Sequence, residues 1–431
     1  MKILYISQYY PPEIGAPAAR VSELSREWAA RGHQVTVLTA FPHHPHGTKR
    51  PEDRGVLTRR DKDGDIDVVR TYVFAARNQG FLLRILSYVS FMFSAILIGT
   101  LRVGKPDVVI ATSPQLFTAV AGWWVSLFKR APFVFEVRDL WPESIVTVGA
   151  MREGIAIRCL KRVASWLYRS CDRIVTVGAG YKRGILEKYP VSPDKFDVIT
   201  NGVDVEQFTF REQDRAQLRT QHGWQNKKVV LYLGTHGMAH GLDFVLGAAE
   251  QMRDREDIQF ALVGDGAEKE NLIAMAKAKN LTNVSFISQQ PKNMVVSYYA
   301  ASDICLVPLR KVDLFKDVLP SKIFEIMAMN RPILISVDGD ARAEVERAHA
   351  GIFVEPENID QLVRGIALLA DNEATRQLMG DAGRKFVVEN YQRGVLAERY
   401  LDVLSNLLPA EPDRKPANTV APSREATALP R

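Results

Sequence analysis

The chain has 431 residues, which is enough for two domains with separate hydrophobic cores. Hydrophobic residues make up 46% and charged residues 25% of it, and this composition excludes a disordered chain. A formal net charge of +6 is too small to indicate a nucleic-acid-binding protein, but it suits anionic small substrates or an anionic membrane surface. The three cysteines lack metal-ligand spacing, which favours reduced thiols in a cytoplasmic protein.

Apolar runs of strand length alternate with stretches of helical length through most of the chain. The first series predicts strands at 2–7, 34–40, 67–74, 107–112, 132–137, 173–177 and 196–200. After a polar connection near 205–226, a second series predicts strands at 227–234, 258–264, 284–288, 304–309, 332–336 and 351–356. Many runs are apolar throughout, as in parallel strands covered on both faces. We therefore predict an α/β fold of two doubly wound, Rossmann-like domains, with ligands at the carboxyl ends of the strands in the cleft between them.

The same pattern predicts how the chain is divided. The expected parts are a first domain (1–205), a second domain (206–385), a C-terminal helix crossing back to the first domain (386–407) and a disordered tail (408–431). Phe386, Tyr391 and Tyr400 are expected to pack the last helical stretch, 373–407, across the first domain. The tail is rich in Pro and Ala and has few large apolar residues, which is typical of disorder.

The segment 81–101 is an almost continuous apolar run in which Arg84 is the one charged residue. Its length approaches that of a membrane span. Three interpretations are open: a buried helix of the first domain, a helix in the membrane interface, and a true span. Basic residues flank the run, as would suit an anionic surface; they are Arg77, Arg84, Arg102 and Lys105.

Two loops of the first domain carry candidate site residues. Gly15, in the loop after the first strand, permits close approach of a ligand to the start of the next helix. No G-x-G-x-x-G occurs there, which argues against an NAD oxidoreductase. After a later strand, Arg138 is a candidate to offset charge on a leaving phosphate, and Asp139 to orient Arg138 or serve an acceptor hydroxyl. The alternative is a structural Arg138–Asp139 pair.

Strand-end loops of the second domain offer further groups. A glycine-rich turn beginning at Gly234 leads into a helix, with His236 and His240 as candidate donors to a diphosphate or as ordinary loop histidines. Gly264 and Gly266 permit a sharp turn after the next strand. The loop that carries Gln289 could contact a base.

The segment VLPSKIFEIMAMNRPILIS, 318–336, predicts a short helix followed by a strand. Ser321 stands at the predicted helix start, where free amides favour an anion. Lys322 adds a cation in the first turn, and Glu325 can accept two hydrogen bonds from a ribose diol. The segment therefore predicts a nucleotide or nucleotide-sugar site, with an ordinary helix start as the alternative. No divalent-metal carboxylate cluster is apparent, and DKDGD at 61–65 is interpreted as a turn.

These motifs together resemble the retaining glycosyltransferases of family 4, which have the two-domain GT-B fold. The closer resemblance is to the bacterial surface-polysaccharide members described as fucosamine or colanic-acid transferases. It covers about 1–405 and is specific as a combination of QYYPPEIGAPAAR, EVRDLWPES, ITNGVD, LVGDG and LPSKIFEIMAMNRPI.

The resemblance implies a nucleotide-sugar donor on the second domain and an acceptor on the first, with no required metal. It places Glu325 on the ribose and Asp317 near the sugar, as the second and first of two family carboxylates. The family's basic pair on the diphosphate falls on Thr235 and His240 and is missing here, which leaves Lys322 and the histidines as candidates. Arg138 stands where many relatives have histidine, and Pro320 removes one amide of the phosphate loop.

We therefore expect a glycosyltransferase that moves a sugar, UDP-linked by family default, to a polyprenyl-diphosphate-linked saccharide in surface polysaccharide synthesis. It would be cytoplasmic and bound peripherally to the cytoplasmic face of the inner membrane. The lipid-linked acceptor there would give the apolar segment 81–101 a function. A nucleotide-sugar 2-epimerase of the same fold and a non-catalytic nucleotide-sugar-binding partner subunit are the alternatives.

Overall fold

The computed structural model describes residues 1–13, 15–43, 47–75, 81–113, 115–144 and 154–409. Predictions for the tail beyond Pro409 and for Arg77 lie outside these residues. The strands of the first half are β1 (Lys2–Ile6), β2 (Gln34–Ala40), β3 (Thr58–Asp63), β4 (Ile66–Thr71), β5 (Val108–Thr112), β6 (Phe133–Val137), β7 (Arg173–Thr176) and β8 (Phe196–Val198). Those of the second half are β9 (Lys228–Leu233), β10 (Ile258–Val263), β11 (Val284–Ile287), β12 (Ile304–Pro308), β13 (Ile333–Ser336) and β14 (Gly351–Phe353).

Helices follow most strands. Before β9 they are α1 (Ala16–Ala30), α2 (Phe81–Leu101), α3 (Leu116–Lys129), α4 (Ile155–Ser170), α5 (Ala179–Lys188) and α6 (Glu212–His222). From β9 onward they are α7 (Leu242–Gln251), α8 (Lys269–Ala278), α9 (Lys292–Ala301), α10 (Lys322–Ala328), α11 (Asp340–Arg347), α12 (Ile359–Asp371), α13 (Glu373–Asn390) and α14 (Arg393–Ser405). This alternation produces the predicted βα units.

The strands form two separate sheets. The first has the order β3-β4-β2-β1-β5-β6-β7-β8, and the second has the order β11-β10-β9-β12-β13-β14. In each sheet the order reverses beside the first strand of the series, β1 or β9, which is where doubly wound sheets open a ligand crevice. All the strand pairs are parallel except β3 with β4. The predicted fold class is confirmed.

Strand β3 was not predicted, because its sequence TRRDKD contains no apolar run. It pairs antiparallel with β4 at the sheet edge, and the predicted turn over 61–65 is in fact the end of β3 with a tight turn at Gly64, where φ is 59°. Charged side chains suit an edge strand because they oppose pairing with other chains. Asp61 of β3 pairs with Arg70 of β4 at 3.0 Å, which ties the hairpin together.

The prediction that three aromatic residues pack across the first domain holds for Tyr400 and is wrong for the other two. The Tyr400 ring meets Trp28 of α1 edge-on at 5.3 Å, and Trp28 Nε1 donates to the Ala397 carbonyl at 3.1 Å. Phe386 packs on Tyr391, whose ring stacks on Phe324 of α10 at 4.1 Å. The reason is that the stretch breaks between α13 and α14, so that α13 packs on the second domain.

The chain passes between the two halves at two neighbouring points. The Val203 amide donates to the Tyr391 carbonyl at 2.9 Å, and the Arg393 amide donates back to the Val203 carbonyl at 3.2 Å. Arg393 also pairs with Glu23 of α1 at 2.7 Å. These contacts hold the two crossings together; the domain bounds given above stay a prediction.

Helix α2 lies on the first sheet. Phe91, Ala95 and Ile98 are buried in the core that also includes Leu38 and Val109 of the sheet. Among the described residues Leu83–Leu101 is the one segment long and apolar enough to cross a bilayer, and 28% of it is buried in the protein. One side of α2 is thus a layer of the first domain, while the other side remains exposed.

Candidate active site

Two glycine-containing loops meet at the carboxyl ends of β9 and β10. The Gly234 amide donates to the Val263 carbonyl at 2.9 Å, and the His236 amide donates to the Asp265 carbonyl at 2.9 Å. A Cβ atom on Gly266 would lie 2.4 Å from the His236 carbonyl oxygen, and φ at Gly266 is 158°. Glycine is therefore required for the loops to approach this closely.

We expect Gly266→Ala to displace the loop that carries His236, because the added Cβ would lie 2.4 Å from the His236 carbonyl oxygen and one of the two backbone segments must shift. Nucleotide affinity should fall by about tenfold or more, which corresponds to about 1.4 kcal/mol. Isothermal titration calorimetry with the nucleotide checks this. Gly104→Ala is the matched control, since its added Cβ meets nothing within 4 Å. Equal nucleotide affinities of the two variants would contradict the prediction.

Lys322, the first residue of α10, reaches the glycine-containing turn after β9. Its Nζ atom lies 4.4 Å from the centroid of the Tyr232 ring and 2.6 Å from where a Cβ on Gly234 would stand. Burial lowers the pKa of Lys322 to about 8, although Glu325 opposes this shift. Lys322 is thus a partly desolvated ammonium at the mouth of the predicted diphosphate site. It lies at the end of β9, close to the loop in which Thr235 and His240 stand in place of the family's basic pair.

The two predicted histidines lie beside Lys322 but carry no positive charge at neutral pH. His236 is fully buried, and burial together with Lys269 lowers its pKa to about 4. Burial and Lys322 also lower the pKa of His240. Neither ring nitrogen of His236 has a hydrogen-bond partner among the described residues. Lys322 therefore stays the charged candidate to replace the missing basic pair, and the histidines stay candidates as neutral donors.

Glu325 lies on α10 and faces a cavity of ≈ 150 Å³ between the two halves of the protein. Tyr299 Oη donates to Glu325 Oε2 at 3.2 Å. Burial raises the pKa of Glu325, against the effect of Tyr299 and of the nearby cations. Ser321 lines the same cavity but makes no side-chain cap to α10. Arg20, Asn201 and Lys292 are also in its lining.

The other predicted residues of the strand ends are more open. Gly15 precedes α1 with φ of 153°, and the nearest atom to a Cβ there would be Pro17 Cδ at 3.7 Å. Gln289 is exposed, two residues beyond β11. Asp317 is placed in an ion pair that the sequence did not indicate: Arg183 of α5 contacts Asp317 at 2.7 Å and Asp340 at 2.8 Å. Its predicted role near the sugar stays a prediction.

In the first domain, Arg138 and Asp139 do not form the structural pair that was one alternative. Asp139 accepts a hydrogen bond from Ser144 Oγ at 3.0 Å, and no ion pair joins it to Arg138 in the described part of the chain. The Arg138 amide donates to Ser113 Oγ, while Nε and Nη1 are buried without partners among the described residues. Burial lowers the pKa of Arg138, although Glu136 opposes this. Unpartnered guanidinium N–H groups are costly unless a ligand accepts from them.

A buried network behind Arg138 was not predicted from the sequence. Glu136 of β6 accepts from Arg20 Nε at 2.9 Å, Tyr5 Oη at 2.7 Å and Thr112 Oγ1 at 2.8 Å. Burial raises the pKa of Glu136, but Arg20 and the other donors reverse this, so that the net shift is downward. The remaining N–H groups of Arg20 donate to the carbonyls of Ile199 and Thr200. Arg20 therefore connects β6 to the loop that leads into the second domain.

A group of aromatic and amide side chains borders the same strand ends and was also missed. Burial raises the pKa of the Tyr9 hydroxyl, which lies near Gln115 and Tyr88 of α2. The Tyr88 ring meets Trp141 edge-on at 6.3 Å, and Phe117 meets Trp141 at 6.2 Å. The sequence did not indicate Tyr88 as a site residue, because it lies within the apolar run of 81–101 and differs from its aromatic neighbours there only by its hydroxyl.

Two family models together match most of the chain. A family model described as "Glycosyl transferase 4-like domain" matches residues 15–202, and one described as "Glycosyl transferases group 1" matches residues 214–386. WcaI of Escherichia coli (strain K12), named as a glycosyl transferase of colanic acid biosynthesis, is 28% identical over 376 residues, which cover 85% of this chain and 91% of WcaI. These descriptions favour sugar transfer over the epimerase and partner-subunit alternatives.

Solved structures show the same fold. Sucrose-phosphate synthase from Thermosynechococcus elongatus matches with a TM-score of 0.73 at 17% identity, over 94% of this chain and 98% of that one. HepE of Anabaena, in complex with UDP, matches with a TM-score of 0.70 at 16% identity, over 94% of this chain and 100% of that one. The two parallel sheets, the two tandem matches and the WcaI relationship make this chain a family 4 glycosyltransferase with the GT-B fold, of the bacterial surface-polysaccharide kind.

Proposed function

We propose that the protein transfers a sugar, with retention at the anomeric carbon, from a UDP-linked donor to a polyprenyl-diphosphate-linked saccharide. The observation that carries this is the convergence of Lys322, Glu325 and the glycine-containing loops at one edge of the second sheet. The donor assignment is supported by HepE, a protein of the same fold that was solved with UDP. Retention is supported by the family 4 assignment.

In this proposal the ribose and the diphosphate of the donor are bound by different protein groups. The ribose hydroxyls donate to Glu325, and the diphosphate accepts from Lys322 beside the glycine-containing loop after β9. As the glycosidic bond to the diphosphate breaks, negative charge grows on the departing oxygen. A positioned ammonium in a partly desolvated cleft stabilises that charge without reorganisation. Lys322 thus acts as the electrostatic catalyst.

The acceptor lies on the first domain in the same proposal. Arg138, whose Nε and Nη1 have no partner within the described part of the chain, is available to a phosphate or to the departing nucleoside diphosphate. Asp139 and the Tyr9–Gln115–Tyr88 group supply hydrogen bonds to sugar hydroxyls, and Trp141 supplies an apolar surface for a sugar ring. Asp317, held by Arg183, stays a candidate for the sugar's own hydroxyls. The enzyme works on the cytoplasmic face of the inner membrane.

Nucleotide binding is the first test of this proposal. We expect UDP to raise the unfolding temperature more than GDP, ADP or CMP at equal concentration, since HepE, which has the same fold, was solved in complex with UDP. At 100 times the dissociation constant the stabilisation should be about 2.7 kcal/mol. Glu325→Ala should abolish most of the shift because the ribose loses its acceptor.

Glu346→Ala is the matched control, because Glu346 lies exposed on α11 and pairs with Arg342. It should keep the full shift. No shift with any nucleotide, or an undiminished shift in Glu325→Ala, would contradict the proposal. Retention is checked separately from the anomeric configuration of the product by NMR.

A further inference from the structure

Three neighbouring helices on one face of the first sheet carry no acidic residue. The sequences of α2, α3 and α4 contain no Asp and no Glu. Trp123 of α3 packs edge-on against Trp166 of α4 at 4.6 Å, and Lys129 of α3 donates to the Thr100 and Val103 carbonyls at the end of α2. The three helices therefore form one continuous layer.

The outer side of this layer is apolar. On α2, Phe93, Leu97 and Leu101 are 63%, 56% and 68% exposed, and their spacing of four residues puts them on one stripe. On α3, Trp124, Leu127 and Phe128 are 48%, 61% and 60% exposed. The opposite side of α2 is packed in the core. The helix therefore cannot rotate to bury the exposed stripe. Such a patch marks a binding surface.

The same layer is basic along α4. Arg158 and Arg162 lie exposed one turn apart on α4, and neither has an ion pair with a carboxylate among the described residues. Arg102, which follows α2, and Arg130, which follows α3, are exposed as well. Positive charge beside an apolar stripe, without any carboxylate on the three helices, is complementary to lipid phosphates.

We propose that the outer face of α2, α3 and α4 rests on an anionic lipid bilayer. The apolar stripe enters the boundary between headgroups and acyl chains, and the arginines of α4 bind lipid phosphates. The inference deepens the proposed function by naming the surface that brings the enzyme to a lipid-linked acceptor. Tyr88 on α2 contacts Trp141, so the bilayer face adjoins the strand ends where the acceptor is proposed to bind.

The test is co-sedimentation of the full-length protein with vesicles of phosphatidylcholine containing phosphatidylglycerol, or of phosphatidylcholine alone. We expect binding to the anionic vesicles only, and weaker binding at high salt. Leu127→Ser/Phe128→Ser should lower the partition coefficient about tenfold, through lost apolar contact. Arg158→Glu/Arg162→Glu should lower it by a similar factor through lost attraction.

Two matched controls sit on the second domain. Leu368→Ser/Leu378→Ser removes two leucines that are 53% and 73% exposed, and Lys277→Glu/Arg364→Glu changes the net charge by the same amount as the α4 variant. Both should bind vesicles like the wild type. The UDP-induced melting shift should be unchanged in every variant, so a failure of donor binding and a failure of membrane binding are distinguishable.

Three outcomes would overturn the inference. They are wild-type protein that stays in the supernatant with anionic vesicles, equal binding of a test variant and its control, and equal binding to vesicles with and without phosphatidylglycerol. A dimer by light scattering that Leu127→Ser/Phe128→Ser converts to a monomer would also overturn it, because a second copy would then cover the face.

Discussion

Lys322→Met is expected to lower kcat/KM by about 10² to 10³, the cost of removing one positioned charge-stabilising donor from a catalytic site. The side chain keeps its length and apolar stem, so the loss reports the ammonium. Lys322 brings positive charge to the mouth of the glycine-containing loop after β9, where the adjacent histidines are neutral at neutral pH. Steady-state kinetics with the nucleotide sugar measures the effect.

The pH dependence of kcat/KM gives a second test of the role of Lys322. Because the pKa of Lys322 is lowered to about 8, the free enzyme loses this charge as pH rises through about 8, and kcat/KM of the wild type should fall there. The unfolded chain keeps a lysine protonated to about pH 10.4, so it binds more protons than the folded protein between about pH 8 and 10.4. This term therefore makes the free energy of unfolding rise with pH across that window.

Lys316→Met is the control for both the kinetics and their pH dependence, because Lys316 lies on an exposed turn and pairs with Asp313. It should keep wild-type kinetics. If Lys322→Met keeps the wild-type kcat/KM, or keeps the decline near pH 8, the assignment of Lys322 to the diphosphate is wrong.

Arg20→Met is expected to lower the free energy of unfolding by about 3–5 kcal/mol, the cost of leaving one member of a buried ion pair without its partner. Glu136 is fully buried, and the donors left to its carboxylate among the described residues would be Tyr5 and Thr112. The carbonyls of Ile199 and Thr200 would lose their donor as well. Urea unfolding measures the effect.

The double variant Arg20→Met/Glu136→Gln should be more stable than the sum of the two single effects predicts, because it removes the orphaned charge. Arg342→Met, which breaks an exposed pair with Glu346, should cost no more than about 1 kcal/mol. Because the pKa of Glu136 is lowered in the folded protein, the contribution of the pair is present at neutral pH and is lost as pH falls through the folded-state value. Similar destabilisation by Arg20→Met and Arg342→Met would contradict the buried-pair interpretation.

The sequence predicted the strands well where burial on both faces makes them apolar throughout. Thirteen predicted runs correspond to strands in two parallel sheets. It failed at β3, because an edge strand has no need of an apolar run and here carries charges. The sequence also predicted one continuous helical stretch at 373–407. In the structure this stretch is divided into two helices at Tyr391, whose ring stacks on Phe324.

For the site, local sequence indicated which residues stand at strand ends, since each follows an apolar run directly. Lys322, Glu325 and the glycines of the second domain come together as expected from the doubly wound pattern. The partners of these residues could not be predicted, because they come from distant parts of the chain. Arg183 reaches Asp317 from α5, and Arg20 reaches Glu136 from α1.

The sequence by itself thus determined the α/β class, the two-domain plan and the residue types at the donor edge, because hydrophobic periodicity and glycine positions are local properties. The tertiary structure decided three other matters. It decided which charges are paired, since Asp139 is bound by Ser144 and Asp317 by Arg183. It decided which histidines are neutral, since burial sets their pKa. It also decided that one face of 81–101 is core while the other joins α3 and α4 in an exposed apolar layer, because only packing distinguishes two sides of a uniformly apolar helix.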